Sequence, residues 1–495
     1  MRIEDLLANC EKEQLHLTGK IQNFGALLRI DDKTLNVTHV SENCALFCGE
    51  SPESLLGKSV SAISWLHDDD FQALPENAGS RTLLLYREAN GIPVHIRLIR
   101  GKGFYIVEVE AMPEEKSRAS LSELEAMLYP SSGASWNDSD YFDRLLNTLS
   151  SLISYERAML YRFEEDWVGE VVAEHTVNAE ILYKNLKFPA SDIPEIARKM
   201  YFENPSRLIA AVAAEPVTVI SRENAIPDLT WSDLRSASPV HLEYLKNMGV
   251  MSSYSIGLII SGKLWGIVAC HHPKPIYFDA ETRSKAEALV KQFCSVYKTY
   301  KARQRVRQLG EADNKVHDML LLCLGERASS VACANLAFWL KQNFYCTTVA
   351  IVINGQWYQN GELIDESTLN KLDRYLSRDV SNHIFHTQNM SSEQDDEALA
   401  TASTRGVMAI RLSYEKQALR CYILRPPEAQ HTYWAGNPKK ASQQASNTGA
   451  LSPRSSFEKW TQVRGNESRP WTVEDQLLVK KLRAVLLKNI KAFSG

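Results

Sequence analysis

The chain has 495 residues, 44% of them hydrophobic and 23% charged, an ordinary globular mix with room for roughly three domains. Its formal net charge of −4 gives no electrostatic footprint for nucleic acid or an anionic bilayer. No apolar run approaches the ~18 residues of a membrane span, and an acidic start (Glu4, Asp5) without a long apolar region argues against a secretory signal.

Residues 21–115 are predicted to form a small α/β unit. FGALLRID, TLNVTHVS, RTLLLYRE, PVHIRLIR and GFYIVEVEAM read as strands, several with period-two alternation, and SENCALFCG and PESLLG as helical pieces between them. Short strands around brief helices suggest a PAS-like sheet. Residues 115–135 read as a linker with a short helix and a closing Ser/Gly cluster.

A second α/β unit follows over 136–300. DSDYFDRLLNTLSSLIS is an amphipathic helix, RAMLYRF and GEVVAEH are strands, and MSSYSIGLIISGKLWGIVACHH is a hairpin turning at Ser261-Gly262. That order resembles a GAF domain. Ala286, Leu289, Val290, Phe293, Tyr297 and Tyr300 then mark one face of a helix that continues through KARQRVRQLGEADNKVHDMLLLCL. It is far longer than the mean of ~11 residues, and such a helix more often bridges domains or pairs with a partner than closes one core.

The third unit carries the strands TTVAIVING, GVMAIRLS and ALRCYILRP. It is interrupted by a Pro-, Gly-, Ser- and Asn-rich span, PPEAQHTYWAGNPKKASQQASNTGALSPRSSFEKW. Loops past ~12–15 residues are usually functional or disordered, and the aromatics and Arg454 in this one favour function. In the last helix Thr472-x-x-Asp475 is a capping box, followed by an apolar stripe of Leu478, Leu482 and Val485. The fold class is α+β, with three consecutive antiparallel-sheet α/β domains joined by long helices.

Nine cysteines, an odd number scattered without a C-x-x-C pair, argue against a disulfide framework or a zinc site and fit a reducing cytoplasm. Most should be small buried hydrophobes. Cys10 differs because its neighbours Asn9, Glu11, Lys12 and Glu13 are polar. No nucleophile–base arrangement, P-loop or G-x-G-x-x-G supports an enzyme within the chain.

The densest signal lies in FPASDIPEIARKMYFENPSRLI and RSASPVHLEYLKNMGVMSSYSIGLIISGKLWGIVACHH. Here the chain closely resembles the phytochromes, red/far-red photoreceptors, over nearly its whole length in the order PAS, GAF, PHY. The strings DIP, SP-H--YL-NMGV and GKLWG-(I/V)ACHH carry the match, and WAGNP, SPRSSF and W-VED look like the tongue and last helix of a PHY domain. The resemblance divides the chain into an N-terminal segment 1–20, a PAS domain 21–115, a GAF domain 136–300 and a PHY domain 301–495 with its tongue at about 425–472.

The resemblance implies a linear tetrapyrrole with two propionates and four ring nitrogens. Buried carboxylates need charge-assisted donors, each contributing ~1.5–3 kcal/mol, and Tyr201, Arg207, Arg235, Ser253 and Ser255 match the family's propionate contacts. A cationic ring system needs acceptors near its N–H groups. Asp192, with Ile193 and Pro194 in Asp-Ile-Pro, and His241, after Ser238 in Ser-Pro-Val-His, match that role. His271 matches the residue that hydrogen-bonds the D-ring carbonyl, and Met159, Tyr161, Phe188 and Tyr244 match the wall around that ring.

Val240 stands where plant and cyanobacterial members carry the attachment cysteine in the GAF domain, so the resemblance implies the bacterial arrangement, with biliverdin thioether-linked to Cys10. The stretch after it keeps His16, Gly19, Ile21, Gln22, Gly25 and Ala26 of the bacterial pattern and departs at Gln14, Thr18, Asn23 and Phe24. Ile21 matches the residue at which the N-terminal segment passes through a GAF loop, with ISRENAIPDLTWSDLRS as that loop.

The implied cycle is isomerisation at C15=C16, partner exchange at the D ring, and pairing of Arg454, near Ser456, with Asp192 in one state. The tongue then refolds and the signal leaves through helices of a homodimer to an output domain outside this chain, a histidine kinase or next a diguanylate cyclase. The competing class is a PAS/GAF small-ligand sensor or interaction module without photochemistry.

Overall fold

The computed structural model describes residues 14–113, 120–130, 135–178, 180–324, 328–377, 383–390, 404–414, 417–438, 456–465 and 467–494. They form two compact units, Met1–Thr299 with Tyr433–Trp460, and Tyr300–Thr432 with Thr461–Gly495.

The first unit holds two sheets. One has seven strands in the order Lys20–Ile21, Val217–Ser221, Val37–Ser41, Gly25–Asp31, Phe104–Ala111, Ile92–Arg100, Arg81–Ala89. Its two faces differ, as period-two strands require. Val94, Ile96, Leu98, Val107 and Val109 pack with Phe47, Trp65 and Phe71 of the short helical segments into one core. On the other face His95 stands opposite Glu110, and Arg97 opposite Glu108. All four are buried, so this face is a charged seam rather than a solvated surface.

Across the seam lies the start of the helix Ala280–Leu324. Arg283 of that helix, 1% exposed, pairs with Glu110, which also accepts from the Tyr277 hydroxyl at 2.9 Å. Arg97 donates to the carbonyl of Ala280 (3.0 Å) and to Ser284 Oγ (2.9 Å). Buried charges are costly unless paired; here Arg283 pairs with Glu110, and Arg97 with Asp233 at 3.2 Å.

The second sheet runs in the order Ser206–Ile209, Ser252–Ile260, Lys263–His272, Arg157–Phe163, Gly169–Thr176, Lys187–Phe188. Trp434 then pairs in parallel beside Lys187. The hairpin turns at Ser261-Gly262, both with positive φ (54° and 76°), the backbone that a two-residue type I′ connection needs. Helix Asp138–Leu152 is amphipathic as its sequence predicts, burying Leu145, Leu146 and Leu149.

Lys20–Ile21 is the place where the chain crosses itself. Ile21 pairs with Val217 on one side and forms a bridge to Arg235 on the other. The carbonyls of His16 and Gly19 accept from Leu229 and Val219, and Gln22 N–H donates to Leu234. Residues 16–22 therefore run between two limbs of a single loop, 217–236. Val217–Ser221, part of no strand in the sequence reading, is recruited by the edge of the preceding domain's sheet; five residues show too little periodicity to announce such a partner.

The second unit has a five-stranded sheet in the order Gln356–Gly361, Thr348–Ile353, Gln417–Arg425, Gly406–Tyr414, Ile384–Thr387. Neither edge strand carries a continuous apolar run: Gln356–Gly361 mixes Trp and Tyr with amides, and Ile384–Thr387 is only four residues, which is why they escape a reading based on apolar runs. Helices Ser329–Asn343 and Val473–Lys488 bury one face of it with Leu336, Leu340, Leu478 and Leu482. The capping box of Thr472 and Asp475 is present in both directions. Asp475 also receives Arg425, which stacks on Trp471 at 3.6 Å. The interrupting span is not all loop: Gln430–Ala435 and Lys459–Arg464 are strands.

Among the described residues no helix is long and apolar enough to cross a membrane.

Candidate functional site

Met159, Tyr161, Phe188, Asp192, Ile193, Pro194, Tyr201, Arg207, Arg235, Ser238, His241, Tyr244, Ser253, Ser255 and His271 all line one cavity of about 510 Å³ in the first unit. Such a volume suits an organic ligand of drug size or larger. Cys10 and Arg454 lie outside the described residues. Ser456 is exposed and does not line the cavity.

The sheet supplies the cavity floor through alternation. Ser253 faces His271 across the ladder, Ser255 and Met159 flank Ala269, and Gly257 and Tyr161 flank Ile267. These i, i+2 residues share one face, while Tyr254, Val268 and Cys270 point the other way and are buried. His272 is directed elsewhere, its Nδ1 beside Lys274.

Two glycines leave room for rings. A Cβ on Gly169 would lie 1.7 Å from Tyr161 Cζ, and one on Gly257 would lie 3.1 Å from Tyr201. The opposite wall comes from helices Glu195–Glu203 and Pro239–Asn247, the second starting with Pro at its first position after Ser238.

One end of the cavity is cationic. Arg207 donates to the carbonyls of Arg235 and of Asp233, and Arg235 Nη1 donates to Leu15 at 2.6 Å. Burial, and next the adjacent Arg235 charge, press the Arg207 guanidinium well below its ordinary pKa. Two guanidiniums facing one cavity favour an anion there. Beside them the Tyr201 hydroxyl donates to Ser255 at 2.9 Å.

The other end is rich in aromatic rings and imidazoles, with the Asp192 carboxylate among them. Burial, then Arg207, takes His241 down to about 4, although its ring is exposed to the cavity; burial, then Arg157 and His241, takes His271 to about 3. Near neutrality both imidazoles are uncharged and can each donate and accept. The Tyr244 hydroxyl donates to Asp192 Oδ2 at 2.9 Å. Tyr161 lies 5.8 Å from Phe188, and Phe457 meets Tyr244 edge-on at 5.2 Å. Ala435 and Phe457, on either side of residues 439–455, pack into the same apolar cluster.

Several contributors have a role that the sequence does not announce. Leu15 lines the cavity. Gln22 clamps the strand behind Arg207, donating to Leu208 (2.7 Å) and accepting from Ala210 N–H (3.2 Å). Beneath the cationic end, burial and the Asp233 carboxylate push Glu108 up to about 7. Arg97 and Arg81 outweigh burial at Asp233 itself and hold its carboxyl low. A pair of acids two apart in GFYIVEVEAM was the available clue to that network, since strand residues at i and i+2 share a face.

Family comparisons match a PAS fold over residues 10–112, a GAF domain over 139–296 and a phytochrome region over 330–493. The chain is 29% identical to cyanobacterial phytochrome B of Nostoc sp. and 30% identical to a bacteriophytochrome of Pseudomonas aeruginosa. Each alignment covers 97% of this chain and 66% of the relative, so the chain spans just under two thirds of their length. Among solved structures it is similar to the Stigmatella aurantiaca phytochrome photosensory core module. That match has a TM-score of 0.77, 27% identity, and coverage of 98% of this chain and 99% of the other. A bacteriophytochrome from R. palustris shares the fold at a TM-score of 0.80 and 23% identity, covering 98% and 99%.

Proposed function

Because the chain belongs to the phytochrome family as a PAS-GAF-PHY photosensory module, we propose that it is a cytoplasmic red/far-red photoreceptor that binds biliverdin through a thioether to Cys10. The observation that carries the reading is the polarity of the cavity: two guanidiniums at one end, neutral imidazoles and aromatic rings at the other. A flat conjugated dicarboxylate with ring N–H groups fits that order. Bound there, the bilin supplies light absorption and isomerisation at C15=C16.

The protein's part is placement. Arg207 and Arg235, with Tyr201, Ser253 and Ser255, take the propionates. Asp192 and His241 offer acceptors to the pyrrole nitrogens, and His271 donates to the D-ring carbonyl. Tyr161, Phe188, Met159 and Tyr244 bound the space in which that ring turns. With the bilin bound, the Tyr244–Asp192 hydrogen bond would be the place where partners change, Tyr244 releasing the Asp192 carboxylate to Arg454, near Ser456. Phe457 and Ala435 support this route, because Phe457 meets Tyr244 edge-on and Ala435 belongs to the same apolar cluster. The tongue, about 425–472, refolds in response. The output leaves through the helix Ala280–Leu324 and the last helix of a homodimer toward a kinase-type effector.

Reconstitution with biliverdin tests the reading. We expect a far-red absorbance band that switches reversibly under red and far-red light; a colourless protein refutes it. Cys10→Ala should abolish zinc-enhanced bilin fluorescence on a denaturing gel, and a persistent fluorescent band would refute the attachment site.

A further inference from the structure

The PAS sheet reaches the turn at the cationic end of the cavity through Arg81 and Arg97, which pair with Asp233, and through one carboxyl group, Glu108. Glu108 is wholly buried on the charged face of that sheet. Its Oε1 accepts from Ser232 Oγ at 2.6 Å and from Leu234 N–H at 3.1 Å. Ser232 Oγ in turn accepts from Arg235 N–H at 3.1 Å. One oxygen atom therefore fixes the turn that ends in Arg235.

The turn is held from its other side as well. Asp233 Oδ1 receives Arg81 (3.2 Å) and Asn204 (3.1 Å), and the Asp233 and Arg235 carbonyls both accept from Arg207. Those carbonyls set how close the two guanidiniums come. Like charges would otherwise separate or turn to solvent, since bringing them together costs Coulomb energy.

We propose that Glu108 is a positioning residue for carboxylate recognition: by fixing the turn Ser232–Arg235 it sets the spacing of Arg207 and Arg235, and so couples the PAS sheet to the anion end of the GAF cavity. The inference rests on the bilin-binding reading above. Glu108 does not line the cavity; it reaches the guanidiniums through the turn and, when ionised, through the favourable effect of its charge on Arg207. Its Oε1 accepts whether or not the carboxyl is protonated, so Gln can replace it and Ala cannot.

The test uses the Cys10→Ala protein, in which binding is reversible, titrated by absorbance with biliverdin and with biliverdin dimethyl ester. Glu108→Ala and Ser232→Ala should each weaken biliverdin binding about tenfold, the equivalent of one lost charge-assisted contact, and change ester binding less than about twofold. Glu108→Gln should restore the affinity. A merely structural defect lowers acid and ester alike; that result, or no loss at all, overturns the assignment. If Glu108→Ala fails to fold, Ser232→Ala carries the same comparison, being a smaller change at a buried hydroxyl. Failure of both the wild-type and the Cys10→Ala protein to take up biliverdin overturns the bilin reading and this inference with it.

Discussion

At the scale of single residues, the cavity owes its shape as much to absent side chains as to present ones. Gly169 stands where any Cβ would overlap the Tyr161 ring, and Gly257 where one would press on Tyr201. Gly169→Ala must therefore push Tyr161 off its wall. Overpacking of this kind costs about 1–3 kcal/mol, so urea denaturation should show a loss of that size; an unchanged midpoint would mean the ring is not held there. The long strings around Asp192, His241 and His271 made these residues legible. The glycine was not, because its partner ring comes from the neighbouring strand.

Individual elements follow local chemistry where that chemistry is strong. The hairpin at Ser261-Gly262 takes the positive-φ turn its sequence asks for, and the helix after Thr472 starts at its capping box. Thr472→Ala removes the acceptor for Asp475 N–H, and losing such a cap costs about 1 kcal/mol. Thermal unfolding of the second unit should move down accordingly; Thr472→Ser should restore it. Strands Val217–Ser221, Gln356–Gly361 and Ile384–Thr387 were not legible. They are short, and each is made a strand by the sheet edge it joins rather than by its own periodicity.

On the scale of the whole molecule, the first unit is closed by charge as well as by apolar packing. Arg283 and Glu110 are both about 1% exposed and face each other across the seam between the PAS sheet and the long helix. Removing one partner of a buried pair costs about 3–5 kcal/mol, because the other is left uncompensated. Glu110→Ala should therefore lower the calorimetric transition of the first unit by several degrees. The second unit shares none of these contacts, and its transition should stay in place. Equal displacement of both would show that the seam is not where the stability resides.

The sequence by itself determined the domain class, the order of the main strands and long helices, the caps and turns, and the motif strings whose residues line much of the cavity. Period-two alternation, capping pairs and contiguous motif strings are local, and local geometry carries them into the fold. The resemblance already implied that the segment at Ile21 passes through the loop ending at Ser236. Tertiary structure alone decided that Val217–Ser221 becomes the strand beside it, that Gln22 braces the strand behind Arg207, and that Glu108 holds the turn of Arg235. Those partners stand more than a hundred residues apart. A buried polar group must find a hydrogen bond somewhere, but only the packed chain determines where.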